Sequence, residues 1–254
     1  MTSLGSLRAA LEREGLALRG AFHPQPEDGV PTVAGAPAGT LVLVGWTGGT
    51  QWPVFAASPE AVDGAADPLD RWSRRVLGAI ATRFAAVAID PSQGPPWYPF
   101  QRWALRAGRV APSPLGLLID ADEGLWHAYR GALAFAAALP LPPNPPTPPA
   151  PCDTCTDRPC LRACPVRAHD DTGFAAERCT AHVLSSAGMT CRHHGCEARR
   201  ACPVRTDQAY GEAQAAFHMS AFLARTGVGP ADDAHGRGRA RVVRCHRDFP
   251  ETSA

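Results

Sequence analysis

The sequence contains no lysine, and all 25 of its basic residues are arginine. Without lysine, neither the phosphate-binding loop of P-loop nucleotide hydrolases nor the Schiff base of pyridoxal phosphate enzymes can form, so both classes are excluded. The chain also lacks an excess of either charge, because its 24 acidic residues leave a formal net charge of +1. That balance gives no reason to expect a nucleic-acid or membrane partner.

Two further absences concern the cellular location. The sequence has no run of about 18 apolar residues that could span a membrane. Its N-terminal stretch, which includes Glu12 and Glu14, lacks the apolar core and the small-residue cleavage site of a secretory signal. We therefore predict a cytoplasmic protein, in which thiols stay reduced and clustered cysteines more often hold a metal than form disulfides.

Cysteine is absent from residues 1–151 and concentrated in the residues after them. Eight of the nine cysteines form two blocks that each end in Cys-Pro-Val-Arg, and eight thiols are the number that two four-thiolate sites need. The ninth, Cys245, is interpreted as a free thiol. The eight are Cys152, Cys155, Cys160, Cys164, Cys179, Cys191, Cys196 and Cys202.

The spacing of these cysteines favours iron–sulfur clusters over zinc. A structural zinc site usually takes two pairs of cysteines with a couple of residues inside each pair, and only Cys152 and Cys155 fit that pattern. In the bacterial ferredoxin run, three consecutive cysteines bind one 4Fe–4S cluster, and the fourth, followed by proline, binds the other. This template assigns the first cluster to Cys152, Cys155, Cys160 and Cys202. It assigns the second cluster to Cys164, Cys179, Cys191 and Cys196.

The sequence leaves alternatives to that assignment. The blocks are spaced more widely than the simple bacterial run, with four residues between Cys155 and Cys160 where two are usual, so zinc remains the competing metal. His193 and His194 could replace a thiolate, as histidines do in Rieske centres. We interpret them instead as polar loop residues near a cluster.

A proline-rich stretch over residues 139–151 is interpreted as a domain junction, because proline at this density forms neither a helix nor a central strand. The predicted organisation is an α/β domain over residues 1–139, a linker over 140–151, a ferredoxin-like domain with two 4Fe–4S clusters over 152–206, a helix over 207–225 and an extended tail over 226–254.

The apolar spacing predicts both helices and strands. Helices are predicted over residues 3–18, 67–84, 124–139 and 208–225. Strands are predicted over residues 40–46, 85–90 and 115–120. The predicted fold class is therefore α+β, with a layered α/β domain at the N-terminus. Asp120, Asp122 and Glu123 are interpreted as caps of the helix expected from Gly124.

Two stretches resemble a known family. Arg178-Cys179-Thr-Ala-His182 and the run from Gly195-Cys196 to Cys202-Pro203 resemble the ferredoxin domain of epoxyqueuosine reductases, which are cobalamin-dependent enzymes of tRNA modification. A weaker likeness runs upstream through residues 100–108, 115–120 and 124–126. The resemblance implies a nitroreductase-like N-terminal domain that holds cobalamin, or another flat cofactor such as flavin, against the clusters.

The sequence departs from that family at several points. The glycine-rich turn with its lysine, before the strand at 115–120, is replaced here by Arg109-Val-Ala-Pro-Ser-Pro114. No tRNA-binding repeat domain follows Cys202, so we do not expect action on tRNA. Asp90 lies near the family's proton-donating aspartate, although a turn residue at the end of a strand is the simpler interpretation. No catalytic residue is assigned.

From these patterns we expect an iron–sulfur protein that transfers single electrons to a redox partner protein or a small-molecule acceptor. The alternative is a cobalamin- or flavin-dependent reductase whose clusters feed a cofactor in the N-terminal domain. A zinc-stabilised interaction module is the third hypothesis. Arginines beside the cysteines would raise the reduction potential of a cluster or form a face that docks an acidic partner. They are Arg158, Arg162, Arg167, Arg192, Arg199, Arg200 and Arg205.

Overall fold

A computed structural model describes residues 3–49, 51–142, 149–170 and 173–226. It mixes helices with small antiparallel sheets, in agreement with the predicted α+β class. The α-helices of the described residues are α1 (Leu4–Arg13), α2 (Trp52–Ala56), α3 (Pro59–Val62), α4 (Pro68–Phe84), α5 (Phe100–Arg106), α6 (Pro159–Arg162), α7 (Ala176–Leu184), α8 (Met189–His194), α9 (Glu197–Arg200) and α10 (Glu212–Arg225). The strands are β1 (Ala17–Phe22), β2 (Thr40–Thr47), β3 (Val87–Ile89), β4 (Val110–Pro112), β5 (Leu118–Asp120), β6 (His127–Phe135), β7 (His169–Asp170) and β8 (Gly173–Phe174).

The main sheet has four antiparallel strands in the order β1-β2-β6-β3. Side chains of β2 alternate between two hydrophobic clusters, because successive residues of a strand point to opposite faces. Val42 and Val44 pack with the apolar sides of α1 and α4, whereas Leu41 and Leu43 pack with α5. The continuous apolar run of β2 is therefore explained by a sheet covered on both faces.

Helix α4 confirms the helix predicted over residues 67–84. Pro68 occupies the first turn, where its missing N–H costs nothing. Leu69, Trp72 and Val76 recur at helical spacing and are buried against the sheet. The helix ends at Phe84, and its cap residue Ala85 has a φ of 52°, a left-handed conformation that stops helix propagation.

The helix predicted over residues 124–139 is wrong, because this segment contains strand β6. Alanine favours a helix in isolation. Here, however, small side chains suit a strand that pairs with β2 on one side and β3 on the other and lies under α4. A Cβ at Gly131 would lie 2.3 Å from the Leu77 side chain and 2.9 Å from the Ile89 carbonyl oxygen. The helix predicted over residues 3–18 is also too long, since α1 ends at Arg13 and Gly15, with a φ of 72°, leads into β1.

Helix α10 confirms the helix predicted near residues 208–225. It packs against α8 of the cysteine-rich part and against the part of the chain that contains the four-stranded sheet, which we call the sheet domain. The Phe217 ring on α10 lies 5.2 Å from Trp52 and 5.4 Å from Phe55, measured between ring centroids. Part of the predicted linker, residues 143–148, and the predicted tail beyond Thr226 lie outside the described residues, as does Cys245. No helix in the described ranges combines the length and the apolar character that crossing a membrane requires.

Candidate metal centre

The structure brings Cys152, Cys155, Cys160 and Cys202 together as one group of thiols. Burial raises the pKa of Cys152, and the neighbouring Cys202, Cys160 and Cys155 groups raise it further. Burial likewise raises the pKa of Cys160, with Cys202 and Cys155 again adding to the effect. Cys202 belongs to the second sequence block, yet its electrostatic neighbours here come from the first block.

The other four cysteines form the second group. Burial raises the pKa of Cys179 to about 12, and Cys196, Cys164 and Cys191 contribute next. Burial also raises the pKa of Cys196, and Cys164 adds to it. These four cysteines line one pocket. Cys164, the last cysteine of the first block, is therefore placed with cysteines of the second block.

Short helices and proline turns bring the cysteines into these groups. Cys160 lies in α6, and α9 begins directly after Cys196. These two helices, one from each block, pack against each other. Proline follows Cys164 and Cys202, where it ends the local structure and turns the chain away. The backbone N–H of Ala168 donates a hydrogen bond to the Cys164 sulfur at 3.2 Å.

Apolar residues pack against thiols of both groups. Leu115, Ile119 and Leu125 form one buried cluster with Cys160 and Cys202 of the first group and Cys164 of the second. Cys179 and Cys196 are partly buried against the same cluster. No three His, Cys, Asp or Glu side chains in the described parts of the chain are arranged to hold a metal ion.

The two histidines that the sequence singled out are both exposed. His193 is exposed, and the Nδ1 atom of His194 lies 3.2 Å from a carboxylate oxygen of Glu212, so neither lines the pocket of the second group. His169 and His182 line that pocket instead. His182 follows Cys179 by three positions on α7, a spacing that places both on one helix face and that could have identified it from the sequence.

Asp90 behaves as the turn residue expected at the end of a strand. It follows β3, and its Oδ1 atom accepts hydrogen bonds from the backbone N–H and the hydroxyl of Ser92. Arg74 donates to its Oδ2 atom at 2.9 Å. Burial acts to raise the pKa of Asp90, but these hydrogen bonds outweigh it and leave the pKa below its ordinary value. An ionised carboxylate of this kind is unsuited to donate a proton near neutral pH.

Asp120 has a different role from the helix cap that the sequence suggested. The guanidinium of Arg19 on β1 lies 2.7 Å from its Oδ2 atom, and the two side chains are only 8% and 3% exposed. Its Oδ1 atom accepts from the backbone N–H groups of Asp122 and Glu123 at 2.8 and 3.2 Å. Asp120 therefore orders the loop over residues 120–126 rather than a helix.

That loop is one of the contacts between the sheet domain and the cysteine-rich part. Arg199, which lies between two of the cysteines, donates a hydrogen bond to the carbonyl oxygen of Leu125, and its guanidinium lies 4.7 Å from the Trp126 ring centroid. Arg205 donates to the carbonyl oxygen of Asp122 at 2.6 Å. The buried ion pair in the sheet domain is thus connected through one loop to the segments that carry Cys196 and Cys202.

Comparison of the chain with models of known protein families and with curated proteins finds no match in either. The resemblance to epoxyqueuosine reductases, with its nitroreductase-like domain and cobalamin or flavin, therefore stays a prediction.

Proposed function

We propose that this chain binds two 4Fe–4S clusters and transfers single electrons to a redox partner. The observation that carries the proposal is the division of the eight thiols into two groups of four. In each group, three cysteines come from one block and the fourth is the Cys-Pro cysteine of the other block. This exchange of the fourth ligand is the arrangement of two-cluster bacterial ferredoxins.

Thiolate donors suit either zinc or an iron–sulfur cluster, and the spacing of the cysteines in the sequence favours the cluster. A tetrahedral zinc with Zn–S distances of 2.3 Å would hold its sulfurs about 3.8 Å apart. A cube in which each thiolate binds a different iron keeps its sulfurs farther apart. Four cysteines line the pocket of the second group.

The protein's own residues would hold and insulate the clusters. When bound, each cluster would accept and release one electron at a time. The raised pKa values of Cys152, Cys160 and Cys179 imply neutral thiols without metal, so binding would release protons. Leu115 and Leu125 would keep water from thiols of both groups, and the Ala168 N–H would donate a hydrogen bond to the Cys164 sulfur.

Anaerobic purification with iron, acid-labile sulfide and zinc measured beside an absorption spectrum tests the proposal. We expect about eight irons and eight sulfides per chain with a broad brown absorption. A colourless protein with about two zinc ions and no sulfide would refute it and favour the interaction module. A second chromophore bound in equal amount and reduced by the clusters would favour the reductase alternative.

Serine variants test the exchange of ligands between the blocks. We expect Cys202→Ser and Cys155→Ser to change the paramagnetic resonance signal of the same cluster, because both belong to the first group. Cys164→Ser should change the other signal, and Cys245→Ser, the matched control, should change neither. If Cys202→Ser and Cys191→Ser perturb the same cluster, the crossed assignment is wrong.

A further inference from the structure

The internal repeat in the sequence is also a repeat in the backbone. Arg167 and Arg205 end the two Cys-Pro-Val-Arg turns, and their φ angles are 49° and 53°. This left-handed region is rarely adopted by side chains as large as arginine. Each turn follows a short helix, α6 in one block and α9 in the other. The two turns can therefore be compared as two copies of one structural element.

In the second copy, the arginine side chain binds other residues of the same chain. The Arg205 guanidinium donates to the carbonyl oxygen of Asp122 at 2.6 Å and binds both carboxylate oxygens of Asp207 at 3.0 and 3.1 Å. The loop lies directly on this turn, because a Cβ at Gly124 would come within 2.5 Å of the Val204 carbonyl oxygen. This turn is thus covered by an acidic loop of the same chain.

In the first copy, the arginine lies on the surface. Arg167 is exposed, and the loop over residues 120–126 that covers Arg205 lies on the other turn. Arg178, also exposed, donates to the Arg167 carbonyl oxygen at 2.9 Å and so places a second guanidinium on the same turn. The turn therefore presents two arginine side chains on the surface of the described structure.

An exposed aromatic ring adjoins these two arginines. Phe174 is 41% exposed and stacks on His169 with 4.8 Å between ring centroids. A backbone hydrogen bond of 2.8 Å from Ala175 to Ala168 ties this hairpin to the residue after Arg167. Exposed arginine beside an exposed aromatic ring is the composition that protein interfaces favour.

This surface also lies beside the second group of thiols. Cys164 begins the turn, and Cys179 follows Arg178 directly. Pro165 and Val166 of the turn line the same pocket as these cysteines. A protein bound at Arg167 would therefore be close to the second cluster.

We propose that the Arg167 turn, with Arg178 and Phe174, is the docking site of an acidic redox partner protein that exchanges electrons at the second cluster. The inference rests on the proposed function. The partner would present carboxylate and carbonyl oxygens to Arg167, as Asp207 and Asp122 do to Arg205. Bidentate binding of a carboxylate is the interaction for which a guanidinium is suited.

Electron transfer from the chemically reduced full-length protein to two protein acceptors tests the proposal. Plastocyanin serves as the acidic acceptor and cytochrome c as the basic one. The variants are Arg167→Ala, the charge-conserving Arg167→Lys, and Arg13→Ala, which removes an exposed arginine at the end of α1. Iron, sulfide and reduction potentials are measured first for each variant.

We expect Arg167→Ala to slow the reduction of plastocyanin about threefold at 0.01 M ionic strength and less than twofold at 0.15 M, because salt screens the lost charge. Cytochrome c should not be slowed, Arg167→Lys should keep most of the rate, and Arg13→Ala should match the wild type. These results together would support the site.

Equal rates for Arg167→Ala and wild type, with both clusters intact, would overturn the docking site and leave the proposed function standing. Equal slowing with both acceptors would also overturn it. An RNA that blocks electron transfer in the wild type but not in Arg167→Ala would reassign the turn to a nucleic acid. Absence of iron and sulfide from the wild type would instead refute the proposed function.

Discussion

The buried ion pair between Arg19 and Asp120 gives the sharpest test of how the sheet domain holds the loop over residues 120–126. We consider Asp120→Asn, because asparagine keeps the shape and an oxygen that can accept the N–H groups of Asp122 and Glu123. It removes the charge that faces Arg19 at 2.7 Å. The substitution thus isolates the ion pair from the turn that it supports.

The expected cost follows from burial. Both side chains are almost fully enclosed, at 8% and 3% exposure, so Asp120→Asn leaves an uncompensated guanidinium out of water. Removing one member of a buried pair costs about 3 to 5 kcal/mol of unfolding free energy. Arg19→Met should cost a similar amount for the same reason. The double variant should cost about 3 kcal/mol less than the sum of the singles, because no unpaired charge remains.

Anaerobic urea unfolding followed by tryptophan fluorescence measures these changes. At an m-value of about 2 kcal/mol per molar urea, each single variant should lower the midpoint by roughly 1.5 to 2.5 M. Asp122→Asn is the control, since its pair with Arg109 is 63% and 42% exposed and should contribute less than about 1 kcal/mol. Single variants as stable as this control, or a double variant equal to the sum of the singles, would refute the reasoning.

Two further predictions concern neighbouring residues. Gly124→Ala should destabilise by about 3 kcal/mol, because it combines a φ of 60° with a Cβ 2.5 Å from the Val204 carbonyl oxygen, whereas Gly116→Ala, with a φ of 73° and open space around it, should cost about 1 kcal/mol. Thermal unfolding distinguishes the two, and equal costs would contradict the close approach. The pKa of His127 is lowered to about 4, by burial first and then by Arg19. The unfolded chain therefore binds more protons between pH 4 and 6.5, so stability should fall as the pH drops, by about 2 kcal/mol at pH 5. His127→Gln should remove that part of the slope, and an unchanged slope would refute the assignment.

The helices and strands that the sequence predicted correctly are those whose pattern is local. Helix α4 carries its apolar stripe and the proline of its first turn within its own residues, and β2 carries a continuous apolar run. Strand β6 could not be found this way, because its alanine-rich sequence favours a helix in isolation. Its conformation depends on β2 and β3 on either side and on Leu77 above Gly131, which lie elsewhere in the chain.

The candidate metal centre rests mainly on the sequence. Cysteine count and spacing predicted two groups of four, and the electrostatic neighbours of Cys152 and of Cys179 are cysteines of their own predicted groups. That these cysteines bind clusters stays a prediction. His169 and His182 in the pocket were missed, because a histidine near a cysteine carries no spacing rule of its own unless the intervening segment is known to be helical.

The sequence by itself determined the chemistry available to this protein: eight clustered cysteine thiols, no lysine, and two turns of the same four residues. Only the tertiary structure decided how those turns differ, with Arg205 covered by the loop after Asp120 and Arg167 left exposed. The physical reason is the distance along the chain between the residues that interact. Residue type and short spacing fix ligands and turns locally, whereas the Arg19–Asp120 pair joins positions 101 residues apart and forms only when the sheet and its loops pack together.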